Sequence, residues 1–248
     1  MNTSLTPPNG GKVRRFATEQ ELHPALAEQI AKLANEAIAA RGAFHFALAG
    51  GGSPRPLYKL LASEYREAIP WEKVHVYWGD ERYVPHDHPD SNCRMARETL
   101  LNHVPVPESQ IYPMPTDPAD PNEAAEQYEQ TLKKATGEET PRLDLILLGL
   151  GGDAHTASLF PGSEAINEKT RLVVAAEGPF EPKQRITLTA PLINKARAVY
   201  ILAFGESKAE AVTNTFKSEH NPLQYPTHAL QLEDGEIIWW LDDAVFKI

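Results

Sequence analysis

Apolar residues along the chain fall into two patterns, short continuous runs and longer stretches with helical spacing. The runs read as strands: Val13 to Phe16, Phe44 to Leu48, Val74 to Trp78, Leu143 to Leu148, Leu172 to Ala175, Arg185 to Thr189, Val199 to Phe204 and Ile237 to Leu241. Between them lie helices. Thr18 and Glu21 form a capping-box pattern that opens a long helix to about Arg41, apolar at Leu22, Leu26, Ile30, Leu33 and Ala37. Ser53 reads as an N-cap with Pro54 at the first helical position, ahead of Leu57, Leu60 and Leu61. Further helices are predicted over Asn92 to Leu101 with Ser91 as cap, over Asn122 to Ala135, and over Glu206 to Phe216. The proline-rich stretch from Val104 to Pro121 breaks regular structure, with a short strand at Ile111 and Tyr112. Strands alternating with helices predict an α/β fold, a mostly parallel Rossmann-like sheet with helices on both faces.

Length and charge narrow the possible functions. A chain of 248 residues with no internal repeat or clear linker predicts one domain over 13–248, after a disordered lead-in over 1–12. That lead-in is polar and carries Pro and Gly, so it reads as neither signal peptide nor anchor, and no apolar run approaches the roughly 20 residues that span a bilayer. The single cysteine, Cys93, excludes an internal disulfide and suits a cytoplasmic protein. A net charge of −10 argues against nucleic acid as a partner. It leaves room for a small anion held by local cations and backbone amides.

Several polar, glycine-rich segments follow strand ends, where open α/β sheets bind ligands. Gly50-Gly51-Gly52-Ser53 precedes a helix and could cradle a phosphate, or be only a tight turn; it is not a Walker loop, since no Gly-Lys-Ser/Thr follows. Gly79-Asp80-Glu81-Arg82 bunches three charges as a solvated turn more often does; against that, Asp80 and Arg82 would point from a fixed sheet edge into the same crevice. Gly149-Leu150-Gly151-Gly152-Asp153-Ala154 fits a loose dinucleotide fingerprint with Glu177 downstream. Pro161 and Gly162 would break the required helix and Asp153 would face the phosphates, so a nucleotide site is rejected. His155, adjoining Asp153, is the better candidate, a histidine that a carboxylate could orient. Lys208 follows the strand ending at Phe204 and could reach the same anion, or be simply a solvated helix lysine. His86, Asp87 and His88 lack further ligands with zinc-like spacing, no base lies near Cys93, and neither G-x-S-x-G nor H-E-x-x-H occurs. No metal or cofactor is expected.

Together these segments resemble the 6-phosphogluconolactonase family over nearly the whole chain. The motifs are Ala49-Gly50-Gly51-Gly52-Ser53-Pro54, Trp78 to Pro85 with Ser91-Asn92, Leu148 to Gly151 with Asp153 and His155 to Gly162, Arg185 to Thr189, Gly205 with Lys208, and Trp240-Leu241-Asp242. The resemblance implies a three-layer fold shared with sugar-phosphate isomerases and deaminases, and a metal-independent hydrolase acting on 6-phosphoglucono-1,5-lactone in the oxidative pentose phosphate pathway. It implies His155 as general base and Asp153 as its partner. Arg82 or nearby amides would stabilise the oxyanion, and Asp80 would orient a hydroxyl or the water. The phosphate would rest on Gly50, Gly51, Gly52 and Ser53 with Lys208 and Arg185. The expected partner is a small sugar-phosphate lactone, with neither nucleic acid nor membrane, and the protein a monomer or weak homo-oligomer.

Two rivals share the fold. A glucosamine-6-phosphate deaminase would carry Glu after the catalytic histidine shortly before a proline, where this chain has Phe160. A non-catalytic sugar-phosphate sensor would carry a helix-turn-helix module, which the first dozen residues cannot supply. The family usually has glycine between Asp and His, and Gly-Gly, then Ser or Asn, then Thr in the first loop. Here Ala154 takes the glycine's place, and because Thr156, Ala157 and Ser158 read as the first turn of a short helix, a negative φ is expected for it.

Overall fold

A computed structural model describes residues 6–247. The strands are β1 (Lys12–Phe16), β2 (Phe44–Leu48), β3 (Val74–Trp78), β4 (Asp80–Arg82), β5 (Leu145–Gly149), β6 (Val173–Glu177), β7 (Gln184–Leu188), β8 (Ala198–Ala203) and β9 (Glu236–Asp242). The α-helices are α1 (Glu19–Arg41), α2 (Arg55–Ala62), α3 (Asn92–Thr99), α4 (Pro121–Thr136), α5 (Ala190–Ile193) and α6 (Ala209–Lys217). Six strands form one sheet in the order β1-β9-β8-β5-β2-β3, and every neighbouring pair is parallel. All of β8, and β5 up to Leu148, are buried on alternate side chains alike, so both faces of the sheet are covered.

The predicted caps mostly form. Thr18 Oγ1 accepts from Glu21 N at 3.3 Å, Glu21 Oε2 accepts from Ala17 N at 3.3 Å, and Ser91 Oγ accepts from Arg94 N at 3.1 Å. α1 ends at Gly42, whose φ of 85° only glycine adopts freely.

Four expectations need correction. α2 starts at Arg55 with Pro54 in the cap position and no side-chain cap, so Ser53 stands free of the helix. Asp80 to Arg82 is a strand and not a solvated turn, because β4 pairs antiparallel with β7, which pairs antiparallel with β6. Two strands of this second sheet, β6 and β7, are among those the apolar runs predicted, but β4, with three residues, is too short to show alternation. The predicted strand at Ile111 is a single bridge to Val76. The lead-in is partly placed: residues 1–5 lie outside the described residues, but Pro7 to Gly10 form a turn and Asn9 Nδ2 donates to the Thr227 carbonyl at 3.3 Å.

At the end of the sheet remote from the strand C-termini, Asp144 is buried and accepts from Arg41 Nη2 at 2.7 Å and from His45 N at 2.8 Å. The His45 ring stacks on His75 with centroids 4.9 Å apart, and its Nδ1 lies 2.9 Å from Tyr77 Oη. Burial pushes the His45 pKa down from 6.5 to about 4; His75 and Arg41 act in the same direction and Asp144 opposes them. The unfolded imidazole takes a proton that the folded one refuses. Its stability contribution is therefore complete above the unfolded value of 6.5 and is lost as pH falls toward about 4. Denaturant midpoints should decline over that window, and His45→Phe should flatten the decline; an equally steep decline in the variant would assign it to other groups.

Candidate active site

β2 is the point where the chain turns outward in both directions, to β3 on one side and β5 on the other. Open α/β sheets place crevices at such a point. The segments that follow the C-terminal ends of the adjacent strands β3, β2, β5 and β8, loops after β2, β5 and β8 and the strand β4 after β3, enclose a cleft of about 250 Å³. Gly50, Gly51, Gly52, Ser53, Asp80, Arg82, His155 and Lys208 all line it. Asp153 stands behind His155, and Arg185 borders an adjoining recess that shares Asp80, Arg82 and His155 with the cleft.

The first loop offers backbone donors. Among the described residues no protein acceptor takes the N–H groups of Gly51, Gly52 or Ser53. Gly51 has a φ of 79°, and at Gly50 a Cβ would lie 2.1 Å from the Asn92 side chain. The glycines are thus required by conformation in one case and by close approach in the other.

Gly79 joins the two sheets. Its N–H donates to Leu48 O in the parallel sheet, and its carbonyl accepts from Leu188 N at the end of β7 in the antiparallel one, both at 2.9 Å. The short strand β4 then alternates. Asp80 and Arg82 reach the cleft, while Glu81 turns inward and is buried. The Asp80 carboxylate is fixed from two sides: Ser158 Oγ donates to Oδ2 at 2.6 Å and Asn92 Nδ2 to Oδ1 at 3.3 Å. Ser158 is itself held by its N–H, which donates to Thr187 Oγ1 at 3.1 Å. Arg82 Nη1 donates to Asp90 O at 2.9 Å.

His155 sits in a loop folded tightly on itself. Asp153 Oδ1 lies 2.5 Å from His155 Nδ1 and also accepts from His155 N at 3.1 Å. Burial raises the Asp153 pKa, but the hydrogen bonds and charge of His155 outweigh it and the net shift is downward. A carboxylate on Nδ1 fixes the tautomer with the proton there, leaving Nε2 as the basic nitrogen. Phe160 packs against the ring with centroids 4.6 Å apart. A Cβ on Gly151 would fall 2.1 Å from His155 Nδ1, so the loop needs glycine there for the ring to lie over it.

Lys208 ends a single turn of 3-10 helix, Glu206–Lys208, ahead of α6. It is half-buried, and burial lowers its pKa while Asp153 pulls the other way. Arg185 is 7% exposed; its Nη2 donates to Phe180 O at 3.3 Å, and its Nε and Nη1 find no partner among the described residues. Burial and the nearby Arg82 both lower its pKa. It is a buried cation short of acceptors, facing the recess.

Sequence reasoning gave no role to Asn92, Ser158, Thr187 or Glu81, all of which hold the site together. The signal was present in part. Short polar residues inside a glycine-rich motif are the kind that become buried hydrogen-bonders.

The expectation for Ala154 fails. Its φ is 69°, and Ala157 follows with 48°, so no helix begins at Thr156. The segment is a tight turn closed by a bridge between Thr156 and Leu159 and tied by Thr156 Oγ1 donating to Gly149 O at 2.9 Å. A left-handed alanine carries roughly 1 kcal/mol or more of strain, which the surrounding contacts hold in place. Ala154→Gly should therefore stabilise the protein by about 0.5–1 kcal/mol after the extra unfolded-state entropy of glycine is allowed for. A denaturant midpoint unchanged or lowered would contradict this.

Known proteins resemble this chain in sequence and in fold. The family model described as glucosamine-6-phosphate isomerases/6-phosphogluconolactonase matches residues 17–239. A 6-phosphogluconolactonase of Synechocystis sp. is 50% identical over 210 residues, covering 84% of this chain and 85% of its own. One from Nostoc sp. is 44% identical over 212 residues, covering 84% of this chain and 85% of its own. The solved structure of the Trypanosoma brucei 6-phosphogluconolactonase superposes with a TM-score of 0.81 at 31% identity, covering 95% of this chain and 97% of that one.

Proposed function

Since the chain belongs to the family of glucosamine-6-phosphate isomerases and 6-phosphogluconolactonases, we propose that it is a lactonase hydrolysing 6-phosphoglucono-1,5-lactone to 6-phosphogluconate. The observation that carries this reading is one cleft holding both an imidazole with a free, basic Nε2 and a loop of unspent backbone amides beside Lys208. Among the described residues no group of three or more His, Cys, Asp or Glu is placed to hold a metal, and no helix is long and apolar enough to cross a membrane. A cytoplasmic setting goes with the reading, supported by the lone free thiol of Cys93.

The phosphate rests on the N–H groups of Gly51, Gly52 and Ser53, with Lys208 supplying charge and Arg185 standing one recess away with two unspent donors. Holding the phosphate fixes the far end of the substrate, so the ring lies between that loop and His155. His155 Nε2 takes a proton from water as the water oxygen bonds to the lactone carbonyl carbon. The carbonyl π pair moves onto oxygen, where Arg82 or nearby loop amides stabilise the oxyanion. On collapse the bond from that carbon to the ring oxygen breaks, and the imidazolium returns its proton to the departing oxygen, which becomes the C5 hydroxyl. The carboxylic acid then ionises in solution. Asp153 stabilises the transient imidazolium, and Asp80, already fixed by Ser158 and Asn92, orients a ring hydroxyl or the water.

Purified protein supplied with freshly made lactone should accelerate formation of 6-phosphogluconate over the spontaneous rate; no acceleration would refute the reading. His155→Ala should lower kcat by about 10² or more in a folded protein. Near-normal turnover would remove His155 as the base. Lys208→Ala should raise KM for the phosphorylated lactone more than for unphosphorylated gluconolactone, because it removes binding charge and leaves the reacting groups alone. Equal effects on both substrates would place Lys208 away from the phosphate.

A further inference from the structure

Glu81 stands between two cleft residues yet faces away from the cleft, and it is 1% exposed. Both its oxygens are fully engaged. Oε1 accepts from Asn92 N at 2.7 Å and Arg82 N at 2.8 Å; Oε2 accepts from Cys93 N at 2.7 Å and Ser91 Oγ at 3.2 Å. Burial raises its pKa, the three backbone N–H bonds oppose this, and the negative charge of Asp80 adds to the rise, while Arg185 on the neighbouring strand feels the Glu81 charge. A buried carboxylate with no direct ion pair among the described residues is costly, and a helix cap alone does not call for one, since Ser91 already caps α3.

What the carboxylate fixes is Asn92, which is 2% exposed. The Asn92 side chain reaches back to the cleft, where Nδ2 donates to the Asp80 carbonyl at 3.0 Å and to its carboxylate at 3.3 Å. The same side chain fills the space that a Cβ on Gly50 would occupy, so it forms the floor under the first loop. One amide thus touches both halves of the site. Its backbone N–H is anchored on Glu81 and its side chain spans from Asp80 to Gly50.

We infer that Glu81 is a positioning residue that acts through Asn92, holding Asp80 and the Gly50 turn in fixed relation to each other. This rests on the lactonase reading only for the choice of substrate. In Glu81→Gln one carboxylate oxygen becomes an NH2 that must face a backbone N–H, that of Asn92 or of Cys93, so the first turn of α3 that carries Asn92 loses an acceptor without loss of volume. Asn92→Ala keeps the backbone bond to Glu81 but removes the span. Both should lower kcat/KM for the phosphorylated lactone by about tenfold or more, with kcat reduced through Asp80 and KM raised through the loop.

Because the two act in series, the double variant should be no worse than Asn92→Ala by more than about threefold. A role confined to stability would lower the melting temperature of Glu81→Gln and leave kcat and KM of the folded enzyme unchanged. That result, or a double variant whose loss is the product of the single losses, would overturn the inference. Should Glu81→Gln not fold, Asn92→Ala alone decides: a near-normal melting temperature with both kcat and KM altered supports the span, and unaltered kinetics refute it. Calorimetric binding of 6-phosphogluconate gives the same cycle without turnover. Wild-type protein that binds this acid but does not hydrolyse the lactone would sink the lactonase reading, while the binding cycle would still decide the role of Glu81.

Discussion

The site depends on one residue that belongs to two sheets. Gly79 gives its N–H to the parallel sheet and its carbonyl to the antiparallel one, so the chain passes from β3 into β4 without leaving the hydrogen-bonded framework. A loop at that place would have let Asp80 and Arg82 wander with solvent. A strand tied at both ends presents them on a surface nearly as rigid as the core. The alternation of β4 also explains how three successive charged residues take two different fates. Two face the cleft and one is buried, which no reading of a solvated turn would allow.

The same constraint separates what was legible in the sequence from what was not. Continuous apolar runs marked β2, β3, β5, β8 and β9 because these strands are covered on both faces, and the segments after the first four of them located the cleft. His155 with Asp153 was legible because the contact is local, formed within one loop. The order of the strands, the second sheet and the network of Asn92, Ser158 and Thr187 rest on long-range pairing, as in the Ser158 bond to Asp80 across the chain. Periodicity carries no record of such partners. Arg185 was expected at the phosphate; its register opposite Arg82, which puts it by the recess, could be known only once β4 and β7 were paired.

Ala154 shows a different limit. Its neighbours Thr156, Ala157 and Ser158 have unremarkable helical propensity, but each is claimed elsewhere: Thr156 Oγ1 donates to Gly149 O, Ala157 is left-handed, and Ser158 is committed to Asp80 and Thr187. Local propensity is a weak term beside several fixed hydrogen bonds. The loop accepts strain at two alanines to keep His155 over Gly151 and Ser158 on Asp80 at once. Strain of this kind persists where the contacts around it over-determine the backbone.

Charge presents the last contrast. The chain carries −10 overall, so its general field repels a sugar phosphate. Binding must therefore rely on groups at contact distance, where the field of a few donors exceeds that of distant surface carboxylates screened within about 10 Å by salt. Lys208, Arg82 and Arg185 are each partly or wholly withdrawn from solvent, and burial lowers the pKa of Lys208 and of Arg185. A cation that has already lost part of its hydration gains more from an arriving anion than a solvated one does, because less water remains to be displaced. The cost of keeping these cations dry is met by the fold before any ligand arrives. That cost is best tolerated where β4, β7 and the turn ahead of α6 hold the side chains in place.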